Sequence, residues 1–218
     1  MPEPVTLIGV GTGLAALTSH LARRHFEVAK EVVDIILGAA ALMLCLPVLA
    51  ACALIIKLSS RGPVFYRQWR AGKGGKSFLM YKLRTMYVNA ESATGAVWAS
   101  RGDPRIVPTC RWMRTSHVDE LPQLINVIRG DMSLVGPRPE RPEILSELEK
   151  AYPEVRRRLE VRPGITGLAQ VSNGYDTSID AFRHKLRADL EYIERRNWGT
   201  ELQILAATLG KLRDRQAH

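Results

Sequence analysis

"IILGAAALMLCLPVLAACALII", Ile35 to Ile56, is twenty-two residues without a charge. As a helix it covers roughly 33 Å at 1.5 Å per residue, about the thickness of a hydrocarbon core. A soluble helix of that length would carry a polar face, so the stretch predicts membrane insertion. Pro47 sits near its middle, where it interrupts the hydrogen-bond ladder and bends the axis. Both flanks are basic. Arg23, Arg24 and Lys30 precede the stretch, although Glu27, Glu31 and Asp34 dilute them. Lys57, Arg61, Arg67, Arg70, Lys73, Lys76, Lys82 and Arg84 follow, with no acid before Glu91. Basic residues near a membrane segment prefer the cytoplasmic side. Two topologies therefore stand level on charge: a kinked span, or a helix that bends at Pro47 and leaves through the leaflet it entered.

The rest of the composition narrows the partners. The 218 residues carry a formal charge of +9, with a pI near 9.8. That predicts an anionic partner: a membrane face, a phosphorylated substrate or nucleic acid. Phe65, Tyr66 and Trp69 are interleaved in the basic run after the apolar stretch. Such a mixture suits headgroup level, where each Lys or Arg gains about 1 kcal/mol from anionic lipid. A single-strand nucleic-acid groove would have similar composition, but adjacency to the apolar stretch favours the membrane, and no nucleic-acid partner is expected. Cys45, Cys52 and Cys110 have neither disulfide nor metal spacing and read as reduced thiols. No Lys or Arg precedes Arg23, which argues against a secretory signal peptide. Gly9, Gly11 and Gly13 form GxGxG rather than the dinucleotide fingerprint, with no acid at the right distance in a βαβ unit. A helix or interfacial segment is expected there.

Beyond Glu91 the pattern is that of a soluble, mostly helical unit. Arg101–Pro108 reads as a loop. Leu121, Leu124, Ile125 and Ile128 fall on one face of a helix that Gly130 can end. Met132–Pro142 reads as irregular. Glu143–Leu159 is helical and divided at Pro153, and Ala181–Arg196 and Glu201–Leu212 are two further amphipathic helices. Short strands are expected near Val64–Tyr66, Phe78–Arg84 and Leu168–Val171. The expected fold class is mostly α with a few short strands: a membrane-embedded helix, amphipathic interfacial helices and a small catalytic unit. The boundaries are 1–29 for an N-terminal segment, 30–60 for the membrane helix and 61–218 for the catalytic part. Trp69, Trp112 and Trp198 are candidate interfacial anchors.

The candidate chemistry lies in "HVDELPQLINVIRGDMSLVGPRP", His117 to Pro139. Asp119 and Glu120 stand at the head of an apolar helix. As a cap, Asp119 would satisfy the first backbone amides, Pro122 would fit the first turn and Glu120 would suit the helix dipole. As a reaction centre, the pair would work among Arg114, Lys82, Arg84, Arg138 and Arg141. Arg138 between two prolines has little backbone freedom, and guanidinium pairs with phosphate in fork geometry. Cations nearby would keep an aspartate ionised, able to attack phosphorus and form an acyl phosphate. An anion attacking a diphosphate needs cations or Mg²⁺ to neutralise the transition state. There is no His/Cys cluster for zinc. Both readings stay open on these residues alone.

Four blocks resemble the bacterial sugar transferase family, the monotopic polyprenyl-phosphate phosphoglycosyltransferases. They are "AKEVVDIILGAAALMLCLPVLAACALIIKLSSRGPVFYRQ", "YKLRTM", "MRTSHVDELPQLINVIRGDMSLVGPRPERPE" and "VRPGITGLAQV", in the family's order over about residues 30–195. The resemblance implies transfer of sugar-1-phosphate from a UDP-sugar to polyprenyl phosphate with release of UMP. It implies Asp119 as nucleophile, forming a phosphosugar–aspartate intermediate, and Glu120 as its partner in Mg²⁺ contact or proton handling. It implies phosphate contacts from Arg114, Lys82 and Arg84, nucleotide contacts from Arg138 and Pro139, and Mg²⁺ as cofactor. His117 would shape the loop, and Asp131 would be a turn acid. It implies a re-entrant helix bent at a Ser-Pro pair, where this chain has Leu46-Pro47. The expected location is the bacterial inner membrane, with the catalytic part on its cytoplasmic face. The sugar, the pathway and the oligomeric state, a homo-oligomer included, stay open at this level.

Overall fold

A computed structural model describes residues 8–90, 103–173 and 179–213. The start of the expected Arg101–Pro108 loop lies outside them. The dominant element is helix α1, Ile8–Ser59, 52 residues with Pro47 inside it. It crosses the expected boundary at residue 30 without a break and includes Gly9, Gly11 and Gly13, so no strand–loop–helix forms there. Its buried positions, Lys30, Asp34, Gly38, Cys52 and Ile56, fall on one stripe. Ile36, Leu37, Met43, Leu44, Leu46, Leu54 and Leu58 are exposed, Leu44 to 81%. A contiguous apolar surface of this kind is costly in water and marks a face that meets lipid.

The rest of the described chain grips α1 at the N-terminal flank of its apolar stretch and again at the end of that stretch. On the N-terminal side, Lys30 Nζ donates to Glu201 Oε2 at 2.7 Å, and Ser133 Oγ donates to Asp34 Oδ2 at 2.6 Å. Arg162 pairs with Glu31, and Arg196 with Glu27. At the C-terminal end of the stretch, Cys52 and Ile56 pack with Leu83, Val107, Cys110 and Met113. All three cysteines are free thiols.

After α1 the chain forms an antiparallel hairpin, β1 (Phe65–Ala71) and β2 (Ser77–Leu83), in the register Phe65↔Leu83 to Ala71↔Ser77. Phe65, Arg67 and Trp69 alternate along one face of β1 and are exposed, as expected of a strand at headgroup level. A short helix α2 (Arg111–Thr115) and a 3₁₀ turn (Val118–Glu120) lead into α3 (Gln123–Ile128). Gly130, at φ 78°, ends α3 as expected.

Three expectations need correction. The buried residues of α3 are Gln123, Leu124, Asn126 and Val127, so the expected Leu121–Ile128 face is only partly the inner one. The helix is central, and its buried Asn126 is hydrogen-bonded. Asn126 accepts from Tyr81 N–H at 3.1 Å and donates to Leu79 O at 2.8 Å, tying α3 to the edge of β2. Next, Met132–Pro142 is not wholly irregular. Ser133–Val135 is strand β3, paired in parallel with β4 (Gly164–Thr166). Finally, Leu168–Val171 is not a strand; it belongs to helix α5 (Leu168–Asn173). The other helices follow the periodicity: α4 (Pro142–Ala151), a 3₁₀ stretch divided from it at Pro153 (Pro153–Glu160), α6 (Ile179–Arg195) and α7 (Trp198–Arg213). The architecture is mostly α with few short strands and one long apolar helix.

Candidate active site

His117, at φ 55° in the left-handed region, turns the chain from α2 into the 3₁₀ turn carrying Asp119 and Glu120. Of the two readings of Asp119, the capping one is not adopted: the residue before α3 is Pro122, with no side-chain cap. Asp119 is instead only 6% exposed. Burying an acid without a capping partner is costly, which marks Asp119 as a candidate functional group.

Glu120 is the clamped member of the pair. Lys82 Nζ donates to its Oε1 at 2.7 Å. Arg138 donates through Nη2 to Oε1 at 2.6 Å and through Nη1 to Oε2 at 3.1 Å. Burial opposes ionisation of Glu120, but Arg138 and Lys82 outweigh it and hold the carboxyl well below its usual range. Burial lowers the pKa of Lys82, with Glu120 acting against that.

Asp119 behaves oppositely, which corrects the expectation that cations would hold it low. Burial pushes it up to about 6; Glu120 adds to the rise, while Lys82, Arg114 and Arg138 oppose it. The hydrogen bonds of Lys82 and Arg138 go to Glu120, so Asp119 feels them at longer range. A carboxylate with a pKa near 6 is still about ten to one ionised at pH 7, and it is more basic than an ordinary aspartate. Glu120 thus takes the hydrogen bonds of both cations, and Asp119 is the more basic of the two.

The other candidate residues divide in placement. Arg114, in α2, reaches Thr85 Oγ1 at 3.4 Å and acts electrostatically on Asp119. Lys82 and Arg84 part company. Arg84 donates from Nη2 to Ser60 O and Ser60 Oγ, both at 2.9 Å, and from Nη1 to Arg61 O, at the end of α1. Gly62, at φ 122°, makes room for it, since a Cβ there would collide with the Arg84 guanidinium. Pro139 is buried, and its carbonyl accepts from Arg70 Nη1 at 3.0 Å.

That bond is one of four along the Pro137–Glu140 loop. Pro137 O accepts from Gly164 N–H at 3.0 Å and Glu140 O from Ala71 N–H at 2.9 Å. Arg138 O accepts from Arg158 Nη2 at 2.7 Å. Four consecutive carbonyls are tied, and two prolines restrict the backbone between them, so Arg138 is presented to Glu120 from a fixed base. Arg70 and Arg158 are the residues that sequence reading missed. Arg158 is the third of three consecutive arginines, and nothing local distinguishes it from Arg156 and Arg157.

The donor set can be tested against Mg²⁺. No cluster of three or more His, Cys, Asp or Glu able to hold a metal exists among the described residues. A carboxylate has about four acceptor positions. The Lys82 and Arg138 bonds fill three at Glu120, which leaves one. This set does not fit a cation held by protein alone. It fits a Mg²⁺ that keeps waters, borrows phosphate oxygens and takes one carboxylate contact.

A buried aspartate beside a cation-clamped glutamate, on a basic unit gripping a lipid-facing helix, defines a membrane-bound enzyme site for anionic substrates. The chain belongs to the bacterial sugar transferase family, whose pattern it matches over residues 25–215. It is 40% identical over 214 residues to a UDP-glucose:undecaprenyl-phosphate glucose-1-phosphate transferase of Caulobacter vibrioides, covering 96% of this chain and 79% of that one. It is 42% identical over 176 residues to a UDP-N-acetylgalactosamine-undecaprenyl-phosphate N-acetylgalactosaminephosphotransferase of Aeromonas hydrophila, covering 81% of this chain but only 41% of that longer one. An exopolysaccharide production protein of Rhizobium leguminosarum is 36% identical over 187 residues, covering 84% and 94%.

Proposed function

We propose that the protein transfers sugar-1-phosphate from a UDP-sugar to polyprenyl phosphate, releasing UMP, through a covalent intermediate on Asp119. The observation that carries this reading is the division of labour in the acidic pair. Glu120 is bound by Lys82 and Arg138, whereas Asp119 is buried and raised to about 6. A carboxylate oxygen of Asp119 attacks the sugar-bearing phosphorus. The bond from that phosphorus to the bridging oxygen breaks, and UMP leaves with the electron pair. An oxygen of polyprenyl phosphate then attacks the same phosphorus, the aspartyl–phosphorus bond breaks, and the carboxylate is restored. Arg138 and Arg114 offset the negative charge that gathers around phosphorus. Mg²⁺, held by Glu120 and the diphosphate, would supply further neutralisation.

The test is UMP release from a panel of UDP-sugars with polyprenyl phosphate and Mg²⁺. One UDP-sugar is expected to stand out, and chelating Mg²⁺ to abolish its turnover. The nucleophile must be ionised, so kcat/KM should lose its activity through about pH 6 on acidification, roughly tenfold per unit below that. An acidic limb near pH 4 would mean that Asp119 is not the titrating base.

The same reading places the enzyme on the cytoplasmic face of the inner membrane, where UDP-sugars are found, with α1 re-entrant. Asp34 and Ser60, one on each side of the apolar stretch, both contact the catalytic unit. A span would separate such flanks by about 30 Å of hydrocarbon. Single cysteines introduced at Arg23 and Arg61, in a chain whose native cysteines are replaced by serine, should both react with an impermeant maleimide from the cytoplasmic side. Labelling of one from each side would establish a span instead.

A further inference from the structure

We propose that Arg158, backed by Asp189, is a positioning residue: it fixes the backbone of Arg138 and so aims that guanidinium at Glu120 and the substrate phosphates. The proposal rests on the transfer reaction proposed above. Arg158 is 5% exposed and Asp189 1%. Arg158 Nε donates to Asp189 Oδ2 at 2.8 Å, and its Nη2 donates to Arg138 O at 2.7 Å. Its guanidinium also lies 5.5 Å from the Phe182 ring centre and 3.7 Å from Glu140 Oε1, which Lys185 pairs as well.

A buried ion pair is a poor stabilising device, because an apolar pair of similar volume does as well or better. The arrangement therefore calls for another reason, and the bond to Arg138 O supplies one. Pro137 and Pro139 have no N–H, so the loop depends on its carbonyls for anchorage. Three neighbouring carbonyls are held by the β1 and β4 regions. The carbonyl of the functional residue itself is held by α6, through Asp189 and Arg158. One planar guanidinium serves Asp189 and the carbonyl at once. A lysine ammonium has neither the fork nor the reach to repeat that geometry.

The experiment is a coupling cycle. Arg158→Met with Asp189→Leu removes both charges together, so no charge is left buried alone. This double variant should keep its thermal midpoint within a few degrees and lose about 10- to 100-fold in kcat/KM, with the same division between kcat and KM as Arg138→Ala. Arg158→Lys, which keeps the charge, should lose activity to a similar extent. In an Arg138→Ala background the double change should cost less than about threefold more. Hydrogen exchange at the Ala71 and Gly164 amides, which donate to the carbonyls of Glu140 and Pro137, needs no turnover and should quicken in the double variant. Wild-type activity in the double variant, or full additivity in the Arg138→Ala background, overturns the proposal. Unchanged exchange overturns it as well. Absence of UMP release by the wild type would count against the transfer reading alone, and the exchange result would still decide this one.

Discussion

Asp119→Asn is expected to lose at least about 10⁴-fold in turnover while becoming harder to unfold. The loss follows because an amide oxygen is a poor nucleophile and the amide cannot regenerate a leaving carboxylate. The gain follows from linkage. The carboxyl is raised in the folded protein from 3.8 to about 6, so the folded state holds its proton more tightly than the unfolded chain. Stability from this group is fully present below the unfolded value and is lost as pH rises through about 6. At pH 7 the ionised, buried side chain costs about 3 kcal/mol by that shift. The amide has no such cost. The thermal midpoint of the variant should therefore exceed that of the wild type at pH 7, and the advantage should shrink as pH falls toward 4. A helix cap would give the reverse: a variant at best equal in stability, with turnover intact.

Lys82→Met should fail on both counts. Lys82 and Glu120 lie 2.7 Å apart with side chains 17% and 12% exposed. Removing the lysine leaves a largely buried carboxylate with Arg138 as its remaining charge-bearing clamp. Breaking a buried pair in this way costs about 3–5 kcal/mol, and loss of one charge-stabilising donor lowers turnover by about 10²- to 10³-fold. Glu120→Gln added to Lys82→Met should recover neither stability nor turnover, because it takes from Arg138 the carboxylate that its guanidinium still holds. Denaturation midpoints and UMP release on the two single variants and the double separate these effects. Recovery of activity in the double variant would mean that the pair serves the fold alone.

The legible parts of this protein are those whose physics is local. A charge-free run of helix length announces α1 from Ile35 to Ile56, and periodicity finds α4, α6 and α7 with Pro153 as a divider. The acidic pair and the proline-flanked Arg138 are visible because adjacency and restricted backbone are written in neighbouring letters. What depends on distant packing is not legible. Strand β3 is three residues long and exists because Gly136 and Gly164 let two backbones meet; a Cβ on Gly164 would collide with Gly136 N. No alternation survives at that length. Leu168–Val171 is apolar enough for a strand, yet its pattern does not exclude the helical turn that forms. The pKa of Asp119 required knowing that it is buried and that Glu120 takes the hydrogen bonds of Lys82 and Arg138. Counting nearby cations predicted the wrong direction. The bonds that Arg84 makes are likewise not legible: they go to Ser60 and Arg61 and close the end of α1.

The central claim is tested most directly by mass spectrometry of the enzyme quenched with its UDP-sugar in the absence of polyprenyl phosphate. The account predicts one phosphosugar on the peptide containing Asp119, formed together with UMP and discharged when polyprenyl phosphate is added. UMP release at full rate with no adduct on that peptide, or the same adduct on Asp119→Asn, would contradict it.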